Sequence, residues 1–233
     1  MTLKELRVKG REQARGNILM LFVVELVWGT IVSVLLTPVS IAYTIMLLAS
    51  IDILGNAITN MSLYIWANIV YMILTYAIVI LVGGLIMYGV ARNSKRMWGG
   101  EKATIEAGLS PIVNKKKISL KTYALMFLYI MLWSMIPIVG FVIMIVKSYS
   151  YACAFYIMEE DNSVNGNAAI TKSRELMNGH KMKMFLLDLS YIGWYFLVFL
   201  TFGILAIWVT PWHNQARYIL YQQIKSQHLT AQR

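Results

Sequence analysis

The stretch KMKMFLLDLSYIGWYFLVFLTFGILAIW, residues 181–208, decides the fold. It is almost wholly apolar, it exceeds the about 20 residues that carry a helix across a bilayer core, and it holds one carboxylate, Asp188. The apolar pattern continues over 182–222, with Thr201-Phe202-Gly203 at its centre. One unbroken helix of that length would measure about 60 Å, twice the roughly 30 Å of hydrocarbon. The chain must fold back there. The run 120–158 poses the same problem, and IPIVG, with Pro137 and Gly140, is the place for its turn.

Composition points the same way. Of 233 residues, 58% are hydrophobic and 14% charged, whereas soluble domains carry about 25% charged residues. The formal charge of +10 would suit a nucleic acid, but its placement argues otherwise. Basic residues crowd the N-terminus (Lys4, Arg7, Lys9, Arg11, Arg15), the segments 92–117 and 172–183, and the tail at Arg217, Lys225 and Arg233. The apolar connections between them carry almost none, which is the positive-inside pattern. No nucleic-acid partner is expected; the partner is the lipid bilayer, with anionic lipids against the cytoplasmic basic loops. The single cysteine, Cys153, excludes an internal disulfide and a cysteine-built metal site. A basic start, an apolar run and Ser40-Ile41-Ala42 resemble a signal peptide, but the run 18–37 is longer than a usual signal core. An uncleaved first span is the expectation.

The expected fold class is all-α: a polytopic transmembrane helical bundle of six spans in three hairpins, with cytoplasmic amphipathic segments. Residues 1–16 read as a cytoplasmic amphipathic N-terminus with Leu3, Leu6 and Val8 on its apolar side. A single transmembrane domain, 17–226, follows, with spans at about 17–37, 61–91, 119–137, 140–158, 183–201 and 203–222, then a cytoplasmic tail, 227–233. Pro38 is expected to stop the first span, leaving an outer interfacial or re-entrant segment that contains Asp52. Pro137, Gly140 and Gly203 are the expected hairpin turns. Short cytoplasmic helices are expected over 101–109, ended by Ser110-Pro111, and from Asn165 or Asn167 to Met177, stopped by Asn178-Gly179. Aligning Gly140 with Gly203 sets Tyr149 opposite Trp212 and Phe155 opposite Tyr218, a weak internal repeat of two hairpins. If the last helix leaves the membrane at Trp212, five spans result instead.

The pieces IPIVG, KSYSYACAFYI, AITKSRELMNGHK, FLLDLSYIGWY and LTFGILAIWVTPW, followed by Tyr218 and Tyr221, occur in this order over 137–221. In this the chain resembles a bacterial integral-membrane family of unknown function, domain of unknown function 975. Members usually show a Pro-Gly pair in the first turn, where here Pro137 and Gly140 are separated. The resemblance implies a multi-pass plasma-membrane protein from a Gram-positive bacterium, and it brings no catalytic residues.

Three ionisable residues fall within expected spans: Glu25, Lys147 and Asp188. A charge at the bilayer centre costs at least about 2.5–3.5 kcal/mol, so each needs a partner or water. Glu25 shares its face with Gly29 and Ser33, a stripe that favours helix contact. One cation among two carboxylates suggests an intramembrane polar cluster. It reads as an ion-coupled transport site, as a structural tie between helices, or, for shallow Asp188, as snorkelling. His213, Asn214 and Arg217 after Pro211-Trp212 read either as the lining of a cytoplasm-facing cavity or as an interfacial helix with Trp212, Tyr218 and Tyr221 in the headgroups. Gly193 beside Trp194 reads as a site of close helix packing.

Enzyme signatures are absent. His180, His213 and His228 show no metal-ligand spacing, and neither a phosphate-binding glycine loop nor a GxSxG elbow occurs. Ser190 and Asp188, two apart on a helix, point to different faces. No catalytic residue, metal or cofactor is expected. The expected role is non-enzymatic: a membrane scaffold or accessory protein that binds another membrane component, a membrane-protein partner included, in self-protection or envelope stress. The alternative is a small transporter or lipid-handling protein that uses the Glu25, Lys147 and Asp188 cluster.

Overall fold

The computed structural model describes residues 1–50, 60–114, 116–134, 140–161, 163–164 and 166–231. Every regular element among them is helical. Helix α1 (Leu3–Arg15) opens with a reciprocal cap: the Thr2 hydroxyl accepts from the Glu5 amide at 3.3 Å, and the Thr2 amide donates to the Glu5 carboxylate at 3.1 Å. Its buried side is Leu6, Gly10 and Ala14, four residues apart and therefore one stripe. That stripe lies on the last helix, α12 (Ala206–Ala231). Leu3 packs at its edge while Val8 is 48% exposed, so the N-terminal helix is docked on protein through Leu3 and Leu6 of its expected apolar side, and Val8 is not part of it. A Cβ on Gly10 would fall 2.8 Å from the Ala216 amide nitrogen; only glycine permits this approach.

Helix α2 (Ile18–Ser50) runs straight through Pro38, where the sequence led us to expect a stop. An apolar run continues on the far side of Pro38, and in an apolar setting a helix keeps backbone groups paired that a loop would strand. Thr37 adds a hydrogen bond to Ser33 O at 2.7 Å just before the proline. Residues 51–59, with Asp52, lie outside the described residues. Helix α3 (Met61–Trp98) pairs with α2 and runs past the expected end of its span. Its buried residues, Ala67 apart, lie between Val82 and Met97; its first half is mostly exposed apolar surface.

The short helix α4 (Ile105–Leu109) is capped by Thr104, so it begins later than the sequence suggested, and it wedges against α2 and α3. Gly89 and Gly108 meet backbone to backbone there: a Cβ on Gly89 would sit 2.2 Å from Gly108 O. Helix α5 (Pro111–Asn114) starts at the expected stop and leads to α6 (Lys116–Ser134). Pro137 lies outside the described residues, and Gly140 opens α7 (Gly140–Tyr151). After a break at Ala152-Cys153 comes α8 (Ala154–Glu160).

Helix α9 (Gly166–Leu176) ends near Gly179, whose φ of +77° makes the expected left-handed stop. Its buried side carries Ser173, whose hydroxyl donates to Ser150 O at 2.9 Å and accepts from the Cys153 amide at 3.2 Å. Ser173 thus satisfies the backbone groups that the α7–α8 break exposes. The stretch that opened the sequence reading forms α10 (Lys181–Leu189) and α11 (Ile192–Leu200), broken at Ser190-Tyr191. It turns at Gly203, φ +89°, beside fully exposed Phe202, and α12 continues through Pro211.

The larger core gathers where α1, α9, α10 and α12 meet the second half of α3 and the α7–α8 segment; a smaller one lies between α2 and α3, with Leu109 of α4 packed against it. Among the described residues, four stretches are long and apolar enough to cross a membrane: Ile18–Ala49, Met61–Trp98, Gly140–Glu160 and Lys181–Leu200. The most apolar window of Ile18–Ala49 is only 11% buried, and those of Met61–Trp98 and Lys181–Leu200 only 17%. Such apolar, uncovered helices suit insertion in a membrane. Gly193 has nothing within 4 Å of a Cβ, so the close packing expected at that glycine is not there.

Candidate functional site

Asp188 is not alone in its apolar stretch. His213 and Arg217, four residues apart on α12, share a face and reach it together: His213 Nε2 lies 2.7 Å from Asp188 Oδ1, and Arg217 Nε lies 3.5 Å from the same oxygen. The other imidazole nitrogen, Nδ1, meets the Tyr195 hydroxyl at 2.8 Å. Nε2 thus faces the carboxylate and Nδ1 the Tyr195 hydroxyl, each within hydrogen-bond distance. The Tyr191 ring stacks on the imidazole at 4.5 Å, and Tyr149 approaches Asp188 from α7. One carboxylate therefore joins α7, α10, α11 and α12.

A triad of carboxylate, imidazole and hydroxyl raises the question of nucleophilic catalysis. Here the hydroxyl belongs to a tyrosine, and the serine and thiol nearby are occupied. Ser190 Oγ donates to Leu187 O at 2.6 Å, and Cys153, fully buried, lies 3.4 Å from Met177 Sδ. Among the described residues no three His, Cys, Asp or Glu side chains could hold a metal ion.

Lys147 stands apart from both carboxylates. Its ammonium lies over the Trp133 ring, 4.3 Å from the centroid, and its charged neighbours are Arg174 and Lys181. On α7 it points roughly opposite to Tyr149, two residues on, and only the tyrosine faces Asp188. The sequence placed Glu25, Lys147 and Asp188 in one cluster; the structure brings no two of them together.

Glu25 has its own surroundings. It lines a cavity of about 460 Å³ between α2, α3 and α12, with Trp28 and Ile86 among its apolar walls and Asn93, Ser94 and Asn214 among its polar ones. The cavity read from His213, Asn214 and Arg217 is thus divided by the turn of the helix. Asn214 and Pro211 line it, while His213 and Arg217 face the Asp188 side.

A second tie was not foreseen. Glu160, at the end of α8, accepts hydrogen bonds from Tyr218 at 3.2 Å and Tyr221 at 2.7 Å, and also from Gln222 and Lys225. Tyr218 and Tyr221 are buried, not seated at a headgroup interface. Gln215 links three helices, donating to Gln13 of α1 at 2.8 Å and to Ser94 O of α3 at 3.3 Å. The one available sequence signal was a polar residue at every turn of α12, which a lipid-facing helix would not carry.

A family model described as protein of unknown function (DUF975) matches residues 103–228, more than half of the chain. The chain belongs to the DUF975 family. The match extends beyond the residues that carried the resemblance, taking in α4 to α6 and most of α12. Both ties, Asp188–His213–Arg217 and Glu160–Tyr221, lie inside the DUF975 segment; Glu25 lies outside it. No curated protein and no solved structure matches the chain.

Proposed function

We infer that this DUF975 protein is a non-enzymatic scaffold or accessory protein of the bacterial plasma membrane that holds another membrane component. The observation that carries the reading is the closure of Asp188 by His213 and Arg217, with Tyr195 holding the far side of His213. At Asp188 and at Glu160, groups that could bind a substrate or move a proton are engaged in holding helices together. What remains open is apolar surface, chiefly on α2, the first half of α3 and α11, which is where a lipid or a second membrane protein would sit.

Six crossings in three antiparallel pairs accompany this reading: α2 with α3, α6 with the α7–α8 segment, and the α10–α11 segment with α12. Each of these pairs is in contact. Gly140–Glu160 and Lys181–Leu200, 21 and 20 residues long, match the roughly 30 Å of hydrocarbon at 1.5 Å per residue. The polar residues of α12 are covered by α1, α3 and α10 and so need not meet lipid. Both termini and the basic segments lie on the cytoplasmic side by the charge rule.

Native mass spectrometry of the protein extracted gently from its own membrane tests the role. The expected result is a membrane protein retained at fixed stoichiometry. Protein that stays alone and supports ion or substrate flux in proteoliposomes would overturn it in favour of transport.

A further inference from the structure

The cavity beside Glu25 has a chemistry that the scaffold reading does not use. One of its polar side chains is already committed, Asn93, which exchanges hydrogen bonds with Thr104, donating at 3.3 Å and accepting at 3.1 Å, and the Ser94 backbone carbonyl accepts from Gln215. The Glu25 carboxylate and the Asn214 amide line the same cavity with no hydrogen bond or ion pair among the described residues. Elsewhere in the molecule Asp188 and Glu160 each have several partners. A carboxylate in apolar walls is costly unless something pairs with it, so the free acceptors describe what is missing.

The occupant should carry a positive charge and several N–H donors at one end, to meet the Glu25 carboxylate and the Asn214 carbonyl. Its body should be apolar, because Leu21, Val24, Val32, Ile86 and Val90 form the walls. The indole of Trp28 is fixed in place by donating to Gly108 O at 3.4 Å, and a fixed indole in the wall suits a nearby cation. The volume of about 460 Å³ falls within the usual range for small-molecule sites. At Gly29 and Ser33 the cavity joins a more open groove that follows α2 to Thr37 and Pro38, giving an alkyl chain a path outward.

We propose that this cavity binds a primary ammonium group borne on an alkyl body, with Glu25 and Asn214 as its acceptors. The same headgroup chemistry occurs in a bilayer lipid, phosphatidylethanolamine, and in a free long-chain amine.

The test is calorimetric titration of the full chain in a non-ionic detergent with dodecylamine, using 1-dodecanol as the uncharged control. Saturable binding of dodecylammonium is expected, with dodecanol much weaker. Glu25→Gln should weaken dodecylammonium binding roughly tenfold to a hundredfold, the value of a charge-assisted hydrogen bond. Equal binding by Glu25→Gln, or equal binding of dodecanol, would overturn the proposal. Should Glu25→Gln fail to fold, Val90→Phe, which fills the cavity from α3, must abolish binding if the site is right, and unchanged binding would overturn the proposal equally. Repeating the titration in nanodiscs separates the sources, and either result supports an ammonium site. Competition by phosphatidylethanolamine but not phosphatidylcholine identifies the lipid; undiminished binding in both identifies a free amine. The outcome is independent of whether a protein partner is retained.

Discussion

His213 stands between Asp188 and Tyr195, 2.7 Å from the carboxylate and 2.8 Å from the hydroxyl. Each imidazole nitrogen is thereby satisfied, and the helix hairpin of α10–α11 with α12 is tied across its middle. The side chains of His213 and Asp188 are 11% and 21% exposed, so the tie is shielded from water, where such bonds are strongest.

Tyr195→Phe removes only the hydrogen bond to His213 Nδ1. The loss should be about 0.5–1.5 kcal/mol of unfolding free energy, and guanidinium or SDS titration of the purified protein reads it. His213→Phe should cost more, since it removes the hydrogen bonds to Asp188 and to Tyr195 together.

Gly89→Ala should be among the most damaging small substitutions. The new methyl would meet the Gly108 carbonyl at 2.2 Å, backbone that cannot step aside, and overpacking of this kind costs about 1–3 kcal/mol or more. Gly193→Ala is the matching control: nothing lies within 4 Å, and the helical propensity of alanine should leave stability equal or slightly higher. Thermal unfolding in micelles distinguishes the two.

Gly10→Leu should release α1. Its side chain has no room against Ala216 and the Trp212 carbonyl, while Arg11 loses its seat over the Trp212 ring, now 4.7 Å away. Limited proteolysis should then cut within residues 1–16 in the variant and spare them in the parent protein.

Glu160→Gln leaves Lys225 without its counter-ion and weakens the acceptors for Tyr218 and Tyr221. Loss of hydrogen bonds to a charged group predicts a fall of about 1.5–3 kcal/mol. Amide exchange should quicken along the second half of α12 more than in α2.

The helical class, the family and the apolar stretches were legible because membrane helices announce themselves by composition and length. Gly203 and Gly179 were legible as turns because only glycine adopts those positive φ angles readily. Pro38 misled for a definite reason: the usual breaking effect of proline presumes water to take up the freed backbone groups, and here the apolar run holds the helix together. Depth along the sequence put Glu25, Lys147 and Asp188 at overlapping levels, but depth says nothing of direction. Two residues of α7, Lys147 and Tyr149, face apart, and that alone separates the cation from Asp188. His213 as the partner of Asp188 was out of reach because the pairing depends on how α10 packs on α12. Of the polar residues read as a cavity lining or as an interface, His213 and Arg217 are internal ties and Asn214 lines a cavity.

The central claim is that Asp188 and His213 act as a structural tie. A double-mutant cycle of Asp188→Ala and His213→Ala, followed by unfolding in micelles, measures it directly. The account predicts that each single change destabilises the protein and that the pair is coupled by about 1–3 kcal/mol. Two single variants as stable as the parent, with a coupling near zero, would contradict it.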